Sequence, residues 1–363
     1  MQKRKPRSFQ FRKNIVQMEG YQPGEQPSTT DYIKLNTNEN PYPPSPRVGE
    51  ALTAELDRLR LYPDPMATKL REKIAELHQV GLENILIGNG SDELLTIAIR
   101  TFVDKGDCVA SPSPTYTLYK TLCEIQGARY TPVEYREDYS LNESLIPAKA
   151  KIVFVSNPNS PSGTILPEES LAKIASSIAG ILVVDEAYVD FAKKNCLGLL
   201  KKHRNVIILR TFSKSFSLAG LRVGYALADK EIMANFIKVK DSYNVSRFAI
   251  VGGLAALNDL AWTRANVKKV LATRRRLIWG LEELGFFVYP SEANFVLARH
   301  DAFPADQIYR QLKRKRILVR YYDTPRLKNC LRISVGTDQE IVRLVVQIAE
   351  IMGWKGKKLR IIE

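Results

Sequence analysis

The sequence predicts an α/β protein in which a mostly parallel sheet of the seven-stranded type lies between helices, followed by a smaller α+β domain. Between about residues 66 and 260, short continuous runs of Val, Ile and Leu alternate with segments of helical periodicity. Runs that lack an alternating polar face are typical of parallel strands covered by helices on both sides. After residue 260 a long charged helix precedes further strands, which indicates a second domain.

The larger domain is predicted to open with a helix at 66–80, where Met66, Leu70, Ile74 and Leu77 recur at helical spacing. The apolar runs that follow are predicted to be its buried strands. They are ILIGN at 85–89, DCVAS at 107–111, KIVFVSN at 151–157, ILVVDEA at 181–187 and NVIILRTF at 205–212.

The smaller domain is predicted to begin with a long charged helix at 261–284. Strands are expected near 293–299, 317–320 and 330–335, and the capping-box pattern of Thr337 and Glu340 begins the last helix. The first 46 residues are rich in Pro, Asn and Thr and are interpreted as an extended arm. The predicted units are therefore the arm at 1–46, the large domain at 47–260 and the small domain at 261–363.

Composition excludes several classes of protein. The chain has 363 residues and 45% hydrophobic content, enough for a large core, but no apolar run long enough to span a bilayer. No apolar stretch follows the basic N-terminus, so a secretory signal is not expected. The cysteines lack the paired spacing of a disulfide or zinc framework, so we expect a cytoplasmic protein without a metal site. They are Cys108, Cys123, Cys196 and Cys330.

The formal net charge of +15 raises the question of nucleic-acid binding. That function needs a clustered basic face, whereas a basic surface also attracts anionic small molecules. Lys and Arg are spread along the whole chain here, and no helix-turn-helix, zinc-finger or RNA-binding signature accompanies them. We therefore expect small-molecule substrates and no nucleic-acid partner.

Polar clusters follow several predicted strands, at the edge where open parallel sheets bind ligands. GNGSDE at 88–93 would open a helix whose first amides face an anion, although the pattern is also that of an ordinary loop. DEAY at 185–188 ends an apolar strand with a carboxylate that is costly to bury unpaired. TFSKS at 211–215 places Lys214 in the same crevice, and Arg222 follows eight positions later. A buried lysine near cations has the lowered pKa that Schiff-base chemistry needs, whereas a lone loop lysine is usually solvated.

Together these clusters resemble the fold-type I aminotransferases, whose fold is that of aspartate aminotransferase, and within them the histidinol-phosphate aminotransferase branch. The resemblance runs from Tyr21 to Gly336. It rests on LNTNENPYP at 35–43, LYPDP at 61–65, GNGSDEL at 88–94, SPTYTLY at 113–119, NPNSPSGT at 157–164, VVDEAY at 183–188, TFSKSFSLAGLRVGYALA at 211–228 and LRISVGT at 331–337.

The resemblance implies pyridoxal 5′-phosphate as cofactor and assigns the catalytic residues. Lys214 would hold the cofactor as a Schiff base and then move the substrate proton. Asp185 would pair with the pyridine nitrogen and keep it protonated. Tyr188 would hydrogen-bond the phenolic oxygen of the ring, and Tyr116 would stack on the ring face.

The resemblance also implies how the cofactor phosphate is held. Ser213, Arg222 and the amides of three residues at the start of a helix would bind it, with Arg222 as a charge-assisted fork. Those three residues are Ser91, Asp92 and Glu93. Tyr62 matches a tyrosine that reaches the cofactor phosphate of the neighbouring subunit. The expected assembly is therefore a homodimer with shared active sites, in which the arm joins the small domain and the dimer interface.

One position departs from the family pattern. The family commonly has asparagine directly before the second proline of its NPxNPTG motif, where it donates to the ring phenolic oxygen. Here that position is Ser160, preceded by Asn159. Either residue could make the contact, and Asn159 is preferred because an amide offers two donors on a longer stem.

The resemblance places the substrate anions on two arginines. Arg332 in LRISVGT and Arg320 in ILVRYY match the family's substrate-binding arginines, although either could instead form a surface salt bridge. Tyr21 matches an arm tyrosine that helps to bind the substrate phosphate, but could equally be an interface or core residue. Asn38 is expected to line the same mouth.

The leading hypothesis is transamination of histidinol phosphate with 2-oxoglutarate, in histidine biosynthesis. The same architecture serves aromatic amino-acid aminotransferases and threonine-phosphate decarboxylase, and 2-oxoglutarate itself carries two anionic groups, so the arginines alone leave the substrate open. A non-catalytic, cofactor-sensing regulator is a further class. Such regulators carry an added DNA-binding domain, which we do not expect here because the arm motifs begin within some twenty residues of the start of the sequence.

Overall fold

The structure, a computed structural model, describes residues 9–29, 31–356, 359 and 361. Strands β1 to β13 are, in order, Ile33–Lys34, Ile85–Gly88, Cys108–Ser113, Arg129–Glu134, Ile152–Ser156, Ile181–Asp185, Val206–Thr211, Gly224–Ala228, Phe287–Val288, Phe295–Arg299, Ile317–Leu318, Arg320–Tyr321 and Cys330–Ser334. Helices α1 to α12 are Lys13–Gln17, Pro46–Thr53, Thr68–His78, Ser91–Phe102, Leu118–Gln126, Glu168–Ser177, Leu199–Lys202, Lys230–Val239, Arg247–Leu257, Leu260–Glu283, Ala305–Arg314 and Asp338–Ile351.

The central sheet has seven strands in the order β2-β8-β7-β6-β5-β3-β4. Strand β8 runs antiparallel to both of its neighbours, and the remaining pairs are parallel. Alternate residues of the middle strands pack into two separate hydrophobic cores. Val153 and Val155 of β5 belong to one core, and Phe154 belongs to the other. Both faces are buried, which explains the continuous apolar runs and confirms the mostly parallel sheet.

The second part of the molecule is built on an antiparallel sheet in the order β12-β13-β10-β9, packed with α10, α11 and α12 around its own core. The long charged helix and the strands predicted near 293–299 and 330–335 are confirmed. The Thr337–Glu340 capping box is present with both of its reciprocal hydrogen bonds. Strand β1 of the arm pairs in parallel with β11, so the arm is joined to this part of the molecule.

Some elements were not predicted. Strand β4 is an edge strand in which only Val133 is buried, so it lacks the apolar run by which its neighbours were recognised. Strand β8 is buried, but its five residues lie within a longer motif. The single strand expected at 317–320 is two short strands that flank Val319. The domain limits at 46 and 260 stay a prediction. Among the described helices, none combines the length and apolar character of a bilayer-crossing segment.

Candidate active site

A cavity of about 930 Å³, its open mouth included, lies at the carboxyl ends of the central strands, where the sheet, the arm and the antiparallel sheet meet. All of the predicted site residues line it except Glu93, Asn159 and Tyr62. Those that do are Tyr21, Asn38, Ser91, Asp92, Tyr116, Ser160, Asp185, Tyr188, Ser213, Lys214, Arg222, Arg320 and Arg332. Residues far apart in sequence are therefore brought to one place by the strand ends.

Lys214 follows strand β7 and extends into the cavity. Its Nζ donates a hydrogen bond to the Thr37 carbonyl at 3.2 Å and lies 5.7 Å from the centre of the Tyr188 ring. Burial, and after it the positive charge of Arg332, lower the pKa of Lys214 to about 8, while Glu39 opposes the shift. A substantial fraction of this amine is therefore neutral, and so nucleophilic, near physiological pH.

Asp185 ends strand β6 and is buried. Its Oδ2 accepts a hydrogen bond from the Tyr119 hydroxyl at 2.8 Å, and its Oδ1 accepts one from the amide of Ala187 at 3.1 Å. Burial raises the pKa of Asp185 to about 6, although both hydrogen bonds oppose that shift. Within the described residues the carboxylate forms no salt bridge. A protonated nitrogen placed beside it would supply the missing positive charge.

Tyr188 is held by Asn38 of the arm. The Asn38 side-chain amide donates to the Tyr188 hydroxyl at 3.0 Å, and the Tyr188 ring packs edge-on against Phe295. Asn38 adopts a φ of 57°, and Ser334 accepts from its backbone amide and donates to its side-chain oxygen. Asn38 thus orients Tyr188 besides lining the cavity.

The start of helix α4 forms the anion-binding end of a possible ligand site. Arg222 donates to the Ser213 hydroxyl at 3.2 Å and to the Asp92 carboxylate at 3.0 Å. Gly90, with a φ of 79°, caps the helix, and a Cβ there would lie 2.6 Å from the Arg222 guanidinium. Only glycine therefore lets the guanidinium approach the free amides of the first helical turn.

The Glu93 side chain is turned away from this site. Its carboxylate accepts from the Asn89 amide at 2.6 Å and from the Asn244 side chain at 2.8 Å, and does not line the cavity. It therefore closes the turn that precedes α4. The predicted role of Glu93 concerned its backbone amide alone, which stays in the first turn of the helix.

The loop after β5 places Ser160 in the cavity and Asn159 outside it. The Asn159 side chain accepts from Thr115 at 2.9 Å and donates to Pro114 and Ser162. Ser160 instead accepts a hydrogen bond from Arg332 at 3.2 Å. The geometry therefore favours Ser160, contrary to the preference for Asn159 drawn from the sequence, because the Asn159 amide is already hydrogen-bonded to its own loop and to the loop at 114–115.

Two tyrosines cover one side of the cavity. The Tyr116 hydroxyl donates to the Asp92 carboxylate at 3.2 Å, and the Tyr21 ring packs edge-on against Tyr116 with ring centres 5.9 Å apart. Burial raises the pKa of both phenols, so both stay protonated. Tyr21 is 39% exposed and lies at the mouth, a position from which it can reach a bound molecule.

The two predicted substrate arginines, Arg320 and Arg332, also line the cavity. Arg332 is buried and donates to Ser160 and to the Asn36 carbonyl, while its buried Nε has no hydrogen-bond partner. Arg320 donates to the carbonyls of Gln22 and Pro23. Their hydrogen-bond partners are hydroxyl and carbonyl groups, so both cationic charges remain available to an anion in the cavity.

Tyr62 lies outside the cavity of its own chain. It is 78% exposed and stacks on Tyr243, with ring centres 4.4 Å apart. Arg247 donates to the Tyr62 carbonyl at 2.9 Å and holds the backbone of this segment. An exposed and ordered aromatic pair of this kind is typical of a contact surface.

The sequence reasoning missed two residues that shape the site. Tyr119 contacts Asp185 directly, and Tyr322 lines the cavity beside both arginines. Tyr119 lies in the first turn of α5, three positions after Tyr116, which precedes the helix. This spacing was the available signal. Tyr322 follows Arg320 by two positions and carried no comparable signal.

Comparison with known proteins identifies the family. Residues 30–348 match the model of aminotransferase class I and II. A histidinol-phosphate aminotransferase from Rippkaea orientalis is 47% identical over 94% of this chain and 99% of its own length. Another from Synechocystis sp. is 46% identical over 95% of this chain and 99% of its own.

Solved structures agree with this result. The histidinol-phosphate aminotransferase from Sinorhizobium meliloti, in complex with pyridoxal 5′-phosphate, superposes with a TM-score of 0.84 at 28% identity. The match covers 88% of this chain and 91% of that one. An aspartate aminotransferase from Thermus thermophilus shares the fold at a TM-score of 0.80, 21% identity, and coverage of 94% and 99%. The chain therefore belongs to the class I and II aminotransferase family and, within it, to the histidinol-phosphate aminotransferase branch.

Proposed function

We propose that this chain transfers the amino group of histidinol phosphate to 2-oxoglutarate, giving imidazole acetol phosphate and glutamate in histidine biosynthesis. The observation that carries the proposal is a cavity that joins an amine of lowered pKa, a buried carboxylate and two arginines. Among the described residues, that carboxylate forms no ion pair with a cation and the arginines form none with an acid. The names of the relatives with 46–47% identity support the same substrate.

The cofactor is pyridoxal 5′-phosphate, and the residues present fit it. When bound, it supplies an aldehyde that links to amines and a protonated ring that withdraws electrons from the reacting carbon. Lys214 would provide the covalent attachment and Asp185 the counter-charge for the ring nitrogen. Ser213, Arg222 and the amides at the start of α4 would hold the phosphate.

The remaining cofactor contacts follow from the cavity walls. Tyr116 would cover the face of the ring, and Tyr188 would donate to its phenolic oxygen, with Ser160 as the further candidate for that contact. Asn38 would keep the Tyr188 hydroxyl in place through the hydrogen bond described above. The raised pKa of the Tyr188 phenol, caused by its burial, keeps it a hydrogen-bond donor.

Lys214 would also move the proton on which the reaction depends. When it is not bonded to the cofactor, the Lys214 Nζ would be the base in this buried site. Because burial keeps its pKa near 8, Nζ can take a proton from the substrate carbon and release it again. Arg332 and Arg320 would bind the substrate anions, and Tyr21 would contact them from the arm.

We further propose that the enzyme is a homodimer with shared active sites. Tyr62 is ordered but exposed, and Leu56, Leu59 and Leu61 beside it are 45–54% exposed. An apolar surface of this kind suits a partner, and a second copy would place Tyr62 at the phosphate end of its neighbour's cavity. The four cysteines are free and buried, which favours a reducing compartment such as the cytoplasm.

The substrate is tested by a half-reaction titration of the purified holoenzyme. Histidinol phosphate, phenylalanine, tyrosine and threonine phosphate are each added without a keto acid, and the cofactor spectrum is followed. We expect histidinol phosphate to convert the cofactor to its amino form with the highest second-order rate constant of the four donors. Addition of 2-oxoglutarate should reverse that conversion. Faster conversion by the aromatic amino acids would make this an aromatic aminotransferase, and the proposed substrate would be wrong.

A further inference from the structure

Tyr119 is packed between two aromatic rings next to the candidate site. It lies on α5, is fully buried, and stacks on Phe154 of β5 with ring centres 4.9 Å apart and planes 11° apart. Tyr116 packs against it edge-on at 5.6 Å. A ring fixed on both sides can hold its hydroxyl at one point, because few other rotamers remain open to it.

That point is the carboxylate of Asp185. The Tyr119 hydroxyl donates to Oδ2 at 2.8 Å, on the side opposite the Ala187 amide that bonds Oδ1. Burial keeps the Tyr119 phenol protonated, since its pKa is raised well above the usual value. The phenol is therefore the donor and the carboxylate the acceptor, and this hydrogen bond stabilises the charged form of Asp185.

We propose that Tyr119 is a positioning residue of the transamination reaction, which keeps Asp185 ionised and aimed at the ring nitrogen of the cofactor. The inference rests on the cofactor part of the proposed function and is independent of which amine is the substrate. Without the phenol, Asp185 would retain a single hydrogen bond in an apolar environment. A proton shared between the carboxylate and the ring nitrogen would then shift toward the carboxylate.

Other groups near Asp185 cannot replace this contact. Asp92 of α4 is a like charge and disfavours ionisation of Asp185. Lys214 favours ionisation through space, but its Nζ is hydrogen-bonded to Thr37 and it would be consumed by cofactor attachment. Tyr188 bonds Asn38, and Ser156 on β5 donates to the Pro158 carbonyl. Tyr119 is thus the one described side chain that donates a hydrogen bond to this carboxylate.

The test compares Tyr119→Phe with a matched control, Tyr225→Phe. Tyr225 is also a buried tyrosine, its hydroxyl lies 2.8 Å from His78, and it does not line the cavity. The pH at which Asp185 takes up a proton is read by infrared spectroscopy of cofactor-free, full-length protein carrying ¹³C-labelled aspartate. Asp185→Asn identifies the band.

Tyr119→Phe is expected to raise the Asp185 midpoint by about one pH unit, the size of a lost hydrogen bond to a charged group. In the holoenzyme, the maximal rate constant of the amino-donor half-reaction should fall about ten-fold near neutral pH. The donor concentration that gives half of this rate should change by less than about two-fold. The acid limb of the plot of this rate constant against pH should move to higher pH. Tyr225→Phe should move none of these readouts.

A second variant keeps the proposal testable if Tyr119→Phe does not fold. Replacement of Tyr119 by 3-fluorotyrosine keeps the ring and makes the phenol a stronger donor, so the Asp185 midpoint should fall. A midpoint that stays unchanged in the folded variants, or one that Tyr225→Phe shifts equally, would overturn the proposal. Because the midpoint requires no substrate, that failure is distinct from an error in the proposed amino donor.

Discussion

Arg320 and Arg332 are direct partners across the antiparallel strands β12 and β13, so two like charges face the same cavity side by side. Tyr322 lies against both, with its ring centre 5.3 Å from the Arg320 guanidinium and 5.8 Å from that of Arg332. Within the described residues neither arginine forms a salt bridge, so the alternative of a surface ion pair does not apply. Paired cations without counter-charges are stabilised when an anion binds between them.

Substitution of either arginine by alanine is therefore expected to lower kcat/KM by about 10- to 100-fold, mainly through KM, because each loses a charged hydrogen bond to substrate. The control is Arg310→Ala, which removes an exposed ion pair with Asp306 on α11 and should change kcat/KM by less than about two-fold. Steady-state kinetics for both the amino donor and the keto acid provide the measurement. Unchanged kcat/KM in Arg332→Ala would show that this arginine serves the fold alone.

The lowered pKa of Lys214 predicts how cofactor attachment depends on pH. Only the neutral amine reacts, and the Lys214 amine becomes neutral as the pH rises through about 8. The rate at which cofactor-free protein captures pyridoxal phosphate should therefore rise through a midpoint near 8 and level off above it. Stopped-flow absorbance measures this rate. A midpoint near the ordinary lysine value of about 10.4 would mean that Lys214 is not buried as described.

Ser160 and Asn159 should separate function from stability. Ser160→Ala removes a partner of Arg332 and is expected to lower kcat/KM about ten-fold while the free energy of unfolding changes by less than about 1 kcal/mol. Asn159→Ala breaks bonds to Thr115, Pro114 and Ser162 and should lower the free energy of unfolding by about 1–3 kcal/mol. Urea-induced unfolding measures the free energy of unfolding of both variants, and steady-state kinetics measure their kcat/KM. If Asn159→Ala instead lowered kcat/KM and Ser160→Ala lowered only the stability, Asn159 would be the residue that contacts the cofactor.

A shared active site predicts complementation between two inactive variants. Lys214→Ala and Tyr62→Ala homodimers would each lack a complete site, whereas a heterodimer contains one complete site. Random assortment after dissociation and mixing should restore about a quarter of wild-type activity, since half of the dimers would be mixed and each would hold one intact site of two. No recovery from a mixture shown to exchange subunits would place Tyr62 outside its neighbour's site.

Some secondary-structure elements could be predicted from the sequence and others could not, and the reasons are physical. Strands such as β5 and β7 are buried on both faces, so their composition alone identified them. Edge strand β4 makes few apolar contacts, and nothing local distinguishes it from a loop. The capping box at Thr337 was predicted correctly because it depends only on residues three positions apart.

The candidate site shows the same division. The strand ends and the family motifs were sufficient to nominate Lys214, Asp185 and Arg222. The direction of the Asn159 side chain depends on Thr115 and Ser162, whose approach is set by the tertiary path of two loops. Contacts of this kind depend on long-range packing, which a local pattern does not specify.

The central claim is that Lys214 is the residue to which the cofactor is attached, and one measurement tests it most directly. Reduction of the holoenzyme with borohydride fixes the cofactor to its lysine, and proteolysis with mass spectrometry then locates the modified residue. The account predicts a single phosphopyridoxyl group on Lys214, and none in Lys214→Ala. Modification of another lysine, or no fixed cofactor in a wild-type protein that turns over, would contradict it.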